Sequence, residues 1–540
     1  MKQAQTIKFS TQSHSSIASH ADDMNLASSG GNMSQTNSFA INSCEVLVEV
    51  DKTTHTSGSS AVATRNIINY PWELVYIPGN LVTVHSSGNF IAYAIQALNS
   101  MSSVVRIICR RTITRGLIKN IPGVIKDLSF AYLTSKILLA FTDHFGTFYV
   151  YEIYEENDTL GTKLLMEAEI WHVATIVNTH GTGLIDRCDI QEGSGHQVME
   201  KHSAPISDAA FSPDGTALAT ASLDGYVKFF QVNMSSSGES SPRCLHQWKP
   251  HDGKPLSCLF FLDNHKNPLP DVQFWKYAVT GACNNTEIKT WSCEDWLCNQ
   301  QISFQTPPDS KLETSNLCMK AAIDPSSRYL ILSDIYRRVL YVLIISQESA
   351  PFVESISNGD ANESSLSHNS VKAGVARIVS ISELPVQYPA MFLTITDAEW
   401  KPYKRWKHEH PAVSCLEDKD DDEDVDDDDT DNIVEGLVVK CIFMNTKSLQ
   451  DVSIRFQPVF PPSSYNATGV TSSNHRLSIS DDSVVLKDGL TDMSINLSAT
   501  LNELDTSKGK NLSENDGTSL DNLVAFTSSP SCSNVVSEDI

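Results

Sequence analysis

The stretch Lys201–Val232, KHSAPISDAAFSPDGTALATASLDGYVKFFQV, decides the fold. Within it, ISDAAF alternates apolar with small or polar residues, the period of two that a half-buried strand requires. SPDG is a turn, in which Pro213 presets φ and Gly215 admits a positive φ. ALATAS reads as a second strand, LDG as a tight connection and YVKFFQV as a third strand. Turn signals at this spacing mark an all-β architecture. One such four-stranded unit cannot bury both of its faces, so it predicts copies of itself on either side.

The copies are present. Pro250–Trp291 runs PHDGKPLSCLFF, a polar insertion, then WKYAVTGACNNTEIKTW. Leu317–Ile345 repeats the order, with Asp324-Pro325 where Ser212-Pro213 stood, and Val124–Ile153 is another copy. Weaker ones occupy Leu74–Ile118 and, after an interruption, Val375–Phe456. Helix-period patterns are scarce. The fold expected is all-β: a WD40-type β-propeller of about seven blades, one of them incomplete, flanked by disordered Ser/Asn-rich segments. The incomplete blade is expected between Tyr154 and Met199, where strands that should precede EAEIWHVATIVNTHG are missing and an edge would be exposed.

Polar residues recur with the blades. His202, Thr220 and Asp224 match the buried hydrogen-bond network of a regular repeat, although Phe230 holds the tryptophan position and has no N–H to donate. In the next copy His251, Thr280 and Trp291 fit, and Asn285 stands where the aspartate would be. A His–hydroxyl–carboxylate set also serves hydrolases. Here its spacing follows the repeat, which assigns it to fold stability.

Of the 540 residues 41% are apolar, enough for a large core, but they are unevenly spread. Residues 1–65 read as a mostly disordered segment with one strand-like island at 44–50, placed to pair with the propeller edge as closing strands often do. Residues 66–458 form the propeller, and 459–540 read as a disordered Ser/Thr/Asn-rich tail. MKQAQTIKFSTQSHSS lacks the apolar core of a signal peptide. YLILSDIYRRVLYVLII is cut by Ser333-Asp334 and Arg337-Arg338, too soon for a membrane span. The twelve cysteines lie scattered without zinc spacing, which favours buried free thiols over a metal, and no cofactor is expected. The chain carries no P-loop, nucleophile elbow, zinc-protease or dinucleotide motif, so an interaction platform is favoured over an enzyme.

The net charge of −25 is concentrated in EDKDDDEDVDDDDTD, residues 417–431, with twelve acidic residues and one lysine. Such a run is expected as a solvated loop of the last blade. Just before it, WKPYKRWKHEH interleaves Lys401, Lys404, Arg405 and Lys407 with Trp400, Tyr403 and Trp406, the ingredients of single-strand RNA contact. The adjacent acidic run neutralises that segment and weakens the RNA reading. A second basic cluster, Arg106, Arg110, Arg111, Arg115 and Lys119, reads as a solvated face. Exposed loop residues Tyr226, Arg337 and Arg338 are candidate partner contacts.

Beyond the residues taken singly, SAPISDAAFSPDGTALATASLDGYVKFFQV, PRCLHQWKPHDGKPLSCLFFLDNHK and PDVQFWKYAVTGACNNTEIKTW closely resemble the enhancer of mRNA decapping protein 4 family (Hedls in animals, Varicose in plants). YPWELVYIPGNLVTVHSSGNFIAYAIQA, SRYLILSDIYRRVLYVL and VKCIFMNTKSLQDVSIRFQP match in the same order, so the resemblance covers about residues 66–458. It implies a non-enzymatic scaffold of cytoplasmic mRNA decay, acting in processing bodies, with the nucleus as a second location. Its implied partners are the decapping activator, the decapping enzyme and the 5′-to-3′ exonuclease, with mRNA met mainly indirectly and no membrane. The resemblance also implies homo-oligomerisation through a C-terminal helical region. No such region precedes Ile540, so the chain reads as a fragment or a shortened gene product. A propeller that binds RNA directly, or an adaptor of another pathway, is the alternative.

Overall fold

The computed structural model describes residues 4–9, 37–50, 58–96, 102–168 (apart from 134 and 158), 183–184, 202–231, 244–267, 273–306, 317–348, 375–404 and 433–462. All but Pro462 belong to one unit, which is the propeller; of the second unit, Pro462–Leu523, only Pro462 is described. Every regular element among the described residues is a β-strand. Four come first: β1 (Gln5–Lys8), β2 (Asn37–Ala40), β3 (Glu45–Glu49) and β4 (Val62–Asn69). Six sheets then follow in chain order.

The first sheet holds β5 (Val82–Val84), β6 (Phe90–Gln96), β7 (Ser103–Cys109) and β8 (Arg115–Ile121). The second holds β9 (Ile125–Phe130), β10 (Ile137–Asp143), β11 (Phe148–Glu156), β12 (Thr159–Ala168) and the short β13 (Gly183–Leu184). β14 (Ile206–Phe211), β15 (Ala217–Ser222), β16 (Val227–Gln231) and β17 (Cys244–Trp248) make the third. The fourth is β18 (Leu256–Phe261), β19 (Tyr277–Ala282), β20 (Glu287–Ser292) and β21 (Cys298–Gln305). β22 (Met319–Ile323), β23 (Tyr329–Asp334), β24 (Val339–Glu348) and β25 (Val375–Pro385) form the fifth, and β26 (Phe392–Lys404), β27 (Ile433–Met444) and β28 (Ser448–Phe456) the sixth. Neighbouring sheets pack face to face at five junctions among the described residues: β14 and β15 on β18, β20 and β21 on β25, β22 on β26, β26 and β27 on β5, and β5 and β6 on β9. This is the blade arrangement of a propeller, with the first strand of each sheet lining the axis.

Position within a blade explains the burial patterns. The middle strands β6, β10, β19 and β23 are covered by neighbouring sheets on both faces and are almost wholly buried. The outermost strands β8 and β21 alternate instead. That contrast explains why ALATAS and YAVTGA carry small residues at nearly every position: both of their faces meet another sheet.

The strand pairings refine the sequence expectations. Of the stretch expected to hold an incomplete blade, Tyr154–Ala168 completes the second sheet, with β12 paired along β11 from Phe148↔Ala168 to Glu156↔Thr159. The rest of 169–199, residues 183–184 apart, lies outside the described residues. Val375–Pro385 belongs to the fifth sheet rather than the last, paired with β24. The island at 44–50 pairs with the outer edge of a blade, while a different strand closes the ring. β4 closes the ring, antiparallel to β28 from Ser448↔Asn69 to Ile454↔Val62. The island pairs parallel to the outer strand β21 of the fourth sheet and carries β1 on its far side. Its Val46 and Val48, with Ile7 and Phe9, join the core that Phe304 and Tyr341 share. Residues N-terminal of 66 therefore supply β1, β2, β3 and half of β4.

A chain starting at Tyr70 is expected to leave β28 as an unpaired edge in the ring. Limited proteolysis should then cut within 448–456, and size-exclusion chromatography should show self-association; a monomer with protected β28 would refute the closure.

Candidate functional site at one face of the propeller

In each sheet the first strand starts, and the second strand turns into the third, at the same end. Hydrogen bonds tie these parts together: Leu223 N donates to Pro205 O, Cys283 N to Pro255 O and Ile335 N to Cys318 O. The two blade networks lie at this face. His202 Nε2 meets Thr220 Oγ1 at 2.8 Å, and its Nδ1 meets Asp224 Oδ2 at 3.0 Å. Burial pushes the Asp224 carboxyl up, but the N–H groups of Tyr226 and Ser203 and the His202 ring outweigh it, leaving it below the ordinary range.

The second network is tighter. His251, fully buried, meets Thr280 Oγ1 at 2.8 Å through Nε2 and Glu287 Oε1 at 2.8 Å through Nδ1. Trp291 Nε1 donates to Thr280 Oγ1 at 2.9 Å, and Lys254 Nζ donates to Glu287 Oε2 at 2.5 Å. The bonding pattern assigns the His251 tautomer: Nδ1–H donates to the carboxylate and Nε2 accepts the threonine hydroxyl. Burial holds the imidazole below its ordinary value, against the pull of Glu287. For Glu287 burial acts upward, yet Lys254, His251 and Lys289 bring the carboxyl down to about 2. Hydroxyl, imidazole and carboxylate lie in line as in a hydrolase, but Thr280 and His251 have no exposed surface, so no substrate reaches them.

Asn285 does not join this network. Its Nδ2 donates to Met319 O at 2.8 Å, in the next sheet. Glu287 takes the acidic place because the turn is one residue longer here: Thr280 pairs with Lys289, whereas Thr220 pairs with Lys228. That extra residue, visible in the sequence, was the available signal. Phe230 and Trp291 do occupy equivalent positions, two residues beyond those lysines.

The candidate contact residues divide. Tyr226 is half-buried under Lys249, whose Nζ sits 4.3 Å from the ring centroid. Arg337 is not an exposed loop residue: it is buried at 4% exposure and its Nη1 donates to Asp334 Oδ2 at 3.1 Å. Arg338 is half-exposed with φ 58°, and its Nη1 reaches Gln387 O at 3.5 Å. In the RNA candidate segment, Trp400 packs against the core beside Phe460, and Lys401 lies 3.9 Å from Glu399. Lys404 is exposed at the end of β26; Arg405, Trp406, Lys407 and the acidic run 417–431 lie outside the described residues. In the second basic cluster, Arg110 pairs with Asp451 and Arg111 with Glu155, both at 2.6 Å.

Sequence reasoning missed the centre of this face. The connection from β4 to β5, residues 70–81, crosses the mouth of the axial channel. Lys320, at the start of β22 and 6% exposed, donates through Nζ to the carbonyls of Ile77 (3.2 Å), Pro78 and Gly79 (2.6 Å). Asn80 N donates to Asp127 Oδ1 at 2.7 Å in β9, and its Nδ2 to Leu393 O at 3.0 Å in β26. β9 and β22 belong to the second and fifth of the six sheets among the described residues, which are not neighbours, so a loop bonded to both bridges across the inner strands. Trp72 Nε1 and Tyr70 N anchor its first half, on Ala94 O and Lys447 O. Gly79 is required by close approach: a Cβ there would stand 2.3 Å from Lys126 O. Burial raises the Tyr76 hydroxyl, which bonds Ser257. It also lowers the Lys320 amine to about 8, although Asp127 and Asp208 oppose the shift.

Ring-closing β4, four-stranded sheets and repeated His–Thr networks define a WD40-type β-propeller. The family profile described as the WD40 region of Ge1, enhancer of mRNA-decapping protein, matches residues 58–168 and 165–350. The chain belongs to this family. Enhancer of mRNA-decapping protein 4 of Homo sapiens is 33% identical over 451 residues, 75% of this chain and 30% of its own length. The Drosophila melanogaster homolog is 31% identical over 458 residues, 75% of this chain and 32% of its own. This chain thus spans about a third of the length of these relatives. Among solved structures, the WD40 domain of Toxoplasma gondii coronin aligns with 76% of this chain and 90% of its own, at 10% identity and TM-score 0.39.

Proposed function

We propose that this chain is the propeller platform of an mRNA-decapping scaffold. Membership in the decapping-enhancer family carries this reading. The platform binds the decapping activator, and the assembled scaffold holds activator, decapping enzyme and 5′-to-3′ exonuclease together in cytoplasmic processing bodies. Tethering raises the effective concentration of enzyme near activator and accelerates cap removal without any catalysis by the platform. The sealed Thr280–His251–Glu287 set supports a non-enzymatic role, since its groups stabilise a blade and meet no substrate. mRNA is met through these partners. Direct RNA contact by Trp400 and its neighbours is disfavoured, because Trp400 is committed to the core.

Affinity purification from cells with this chain as bait tests the proposal. Decapping activator and enzyme should be recovered, and should stay bound after ribonuclease treatment. Recovery of no decapping or decay factor would overturn the scaffold reading.

A further inference from the structure

Two large apolar side chains, Leu74 and Val75, stand 47% and 41% exposed on the loop that caps the channel. Their exposure is not a consequence of slack chain. Trp72 on one side and Ile77–Asn80 on the other are bonded to four different sheets. An apolar pair held in water on an immobilised loop is pre-organised for contact, because little conformational entropy remains to be lost on binding.

Contacts lead outward from the start of this loop along one side of the face. Tyr70 N bonds Lys447 O; the Lys447 ammonium lies 4.8 Å from the centroid of the Tyr388 ring; Gln387 O, next in the chain, accepts from Arg338. Tyr336, two residues before Arg338, is 51% exposed. Among the described residues no carboxylate is paired with Arg338 or Lys447, in contrast to Arg337, which Asp334 neutralises. Glu73 is the loop's own acidic residue. At the other end of the sheets Lys266 is bridged by Asp397 and Glu399, both at 2.8 Å.

We infer that the capped face is a docking surface for a short acidic peptide segment with large apolar anchors, bound by Leu74, Val75, Tyr336 and Tyr388 and by the cations Arg338 and Lys447. The apolar anchors pack on Leu74 and Val75 beside the aromatic rings, and carboxylates pair with the two cations. The inference deepens the platform reading and rests on it only for the biological identity of the peptide.

The test uses the whole chain and a phage-displayed library of random peptides, followed by fluorescence anisotropy with a synthetic copy of the enriched sequence. Enriched peptides should combine acidic residues with at least two large apolar ones. Val75→Asp, and separately the double change Arg338→Glu with Lys447→Glu, should weaken binding by about tenfold or more. Lys119→Glu, on β8, should leave it unchanged. All substituted side chains are at least partly exposed, and an unchanged thermal midpoint verifies folding. Peptides without an acidic signature, or binding unaffected at these residues, would overturn the inference. So would an oligouridylate that binds through Arg338 and Lys447 while no peptide does. Peptide binding without recovery of decapping factors from cells would sink the scaffold reading alone. Recovery of those factors undiminished by the same variants would sink this docking surface alone.

Discussion

Lys320→Met is expected to lower the stability of the propeller by about 3–5 kcal/mol, because three carbonyls lose one charged, buried donor. Methionine fills a similar volume but donates nothing. The carbonyls of Ile77, Pro78 and Gly79 lose their shared donor, and Asp127 and Asp208 lose a nearby buried cation. The channel loop should loosen first, because Lys320 holds its middle. Denaturant unfolding at pH 7 measures the loss, and amide exchange at Ile77 and Asn80 locates it. A change below about 1 kcal/mol would show that the loop is held by Asn80 and Trp72 instead.

The same residue sets a pH dependence of definite sign. Burial lowers the folded amine to about 8, against 10.5 for an ordinary lysine. Below pH 8 both folded and unfolded states are protonated, and the penalty of the buried charge is fully present. Between pH 8 and 10.5 the folded amine releases its proton while the unfolded one retains it, so stability from this group rises with pH. The advantage of wild type over Lys320→Met should therefore widen across that window, by up to about 3 kcal/mol. Taking the difference cancels the titration of the buried tyrosines, which both proteins share.

Thr280→Val is expected to cost about 2–4 kcal/mol, because one hydroxyl satisfies two buried groups. Its removal strands both the Trp291 N–H and His251 Nε2 in a dry blade. Thr220→Val in the neighbouring blade should cost about 1 kcal/mol, since Phe230 there presents no N–H and only the His202 bond is lost. Thermal midpoints of the two variants should differ accordingly, and equal losses would refute the role given to Trp291. Acid should act on the same network. His251 is held neutral by burial, so its contribution is lost as pH falls from its unfolded value near 6.5 through its lower folded value. The Glu287 contribution is present above the unfolded 4.5 and is lost as pH falls toward about 2. His251→Gln should remove the upper of these two limbs from the acid unfolding curve.

Much of this was legible in the chain. Period-two strands and the SPDG and DPSS turns specify blades because they depend on neighbours in sequence. His202, Thr220, Asp224, His251, Thr280 and Trp291 were legible for the same reason: hairpin register brings them together once the blade forms. The aspartate's place holds Asn285, and Glu287 supplies the carboxylate instead, because the one-residue difference in turn length moves it from turn to strand. Arg337 read as exposed because nothing local shows that Asp334 folds back onto it.

By itself, then, the sequence determined the repeating blade, the all-β class and the family, all of which follow from local pattern and motif. Tertiary structure alone decided which strand closes the ring, and that 70–81 caps the channel on a buried Lys320. Those features depend on pairings such as Val62 with Ile454 and Gly79 with Lys320, whose partners lie hundreds of residues apart. Strand and turn signals carry no information at that separation; only closure of the ring brings such residues together and removes them from water.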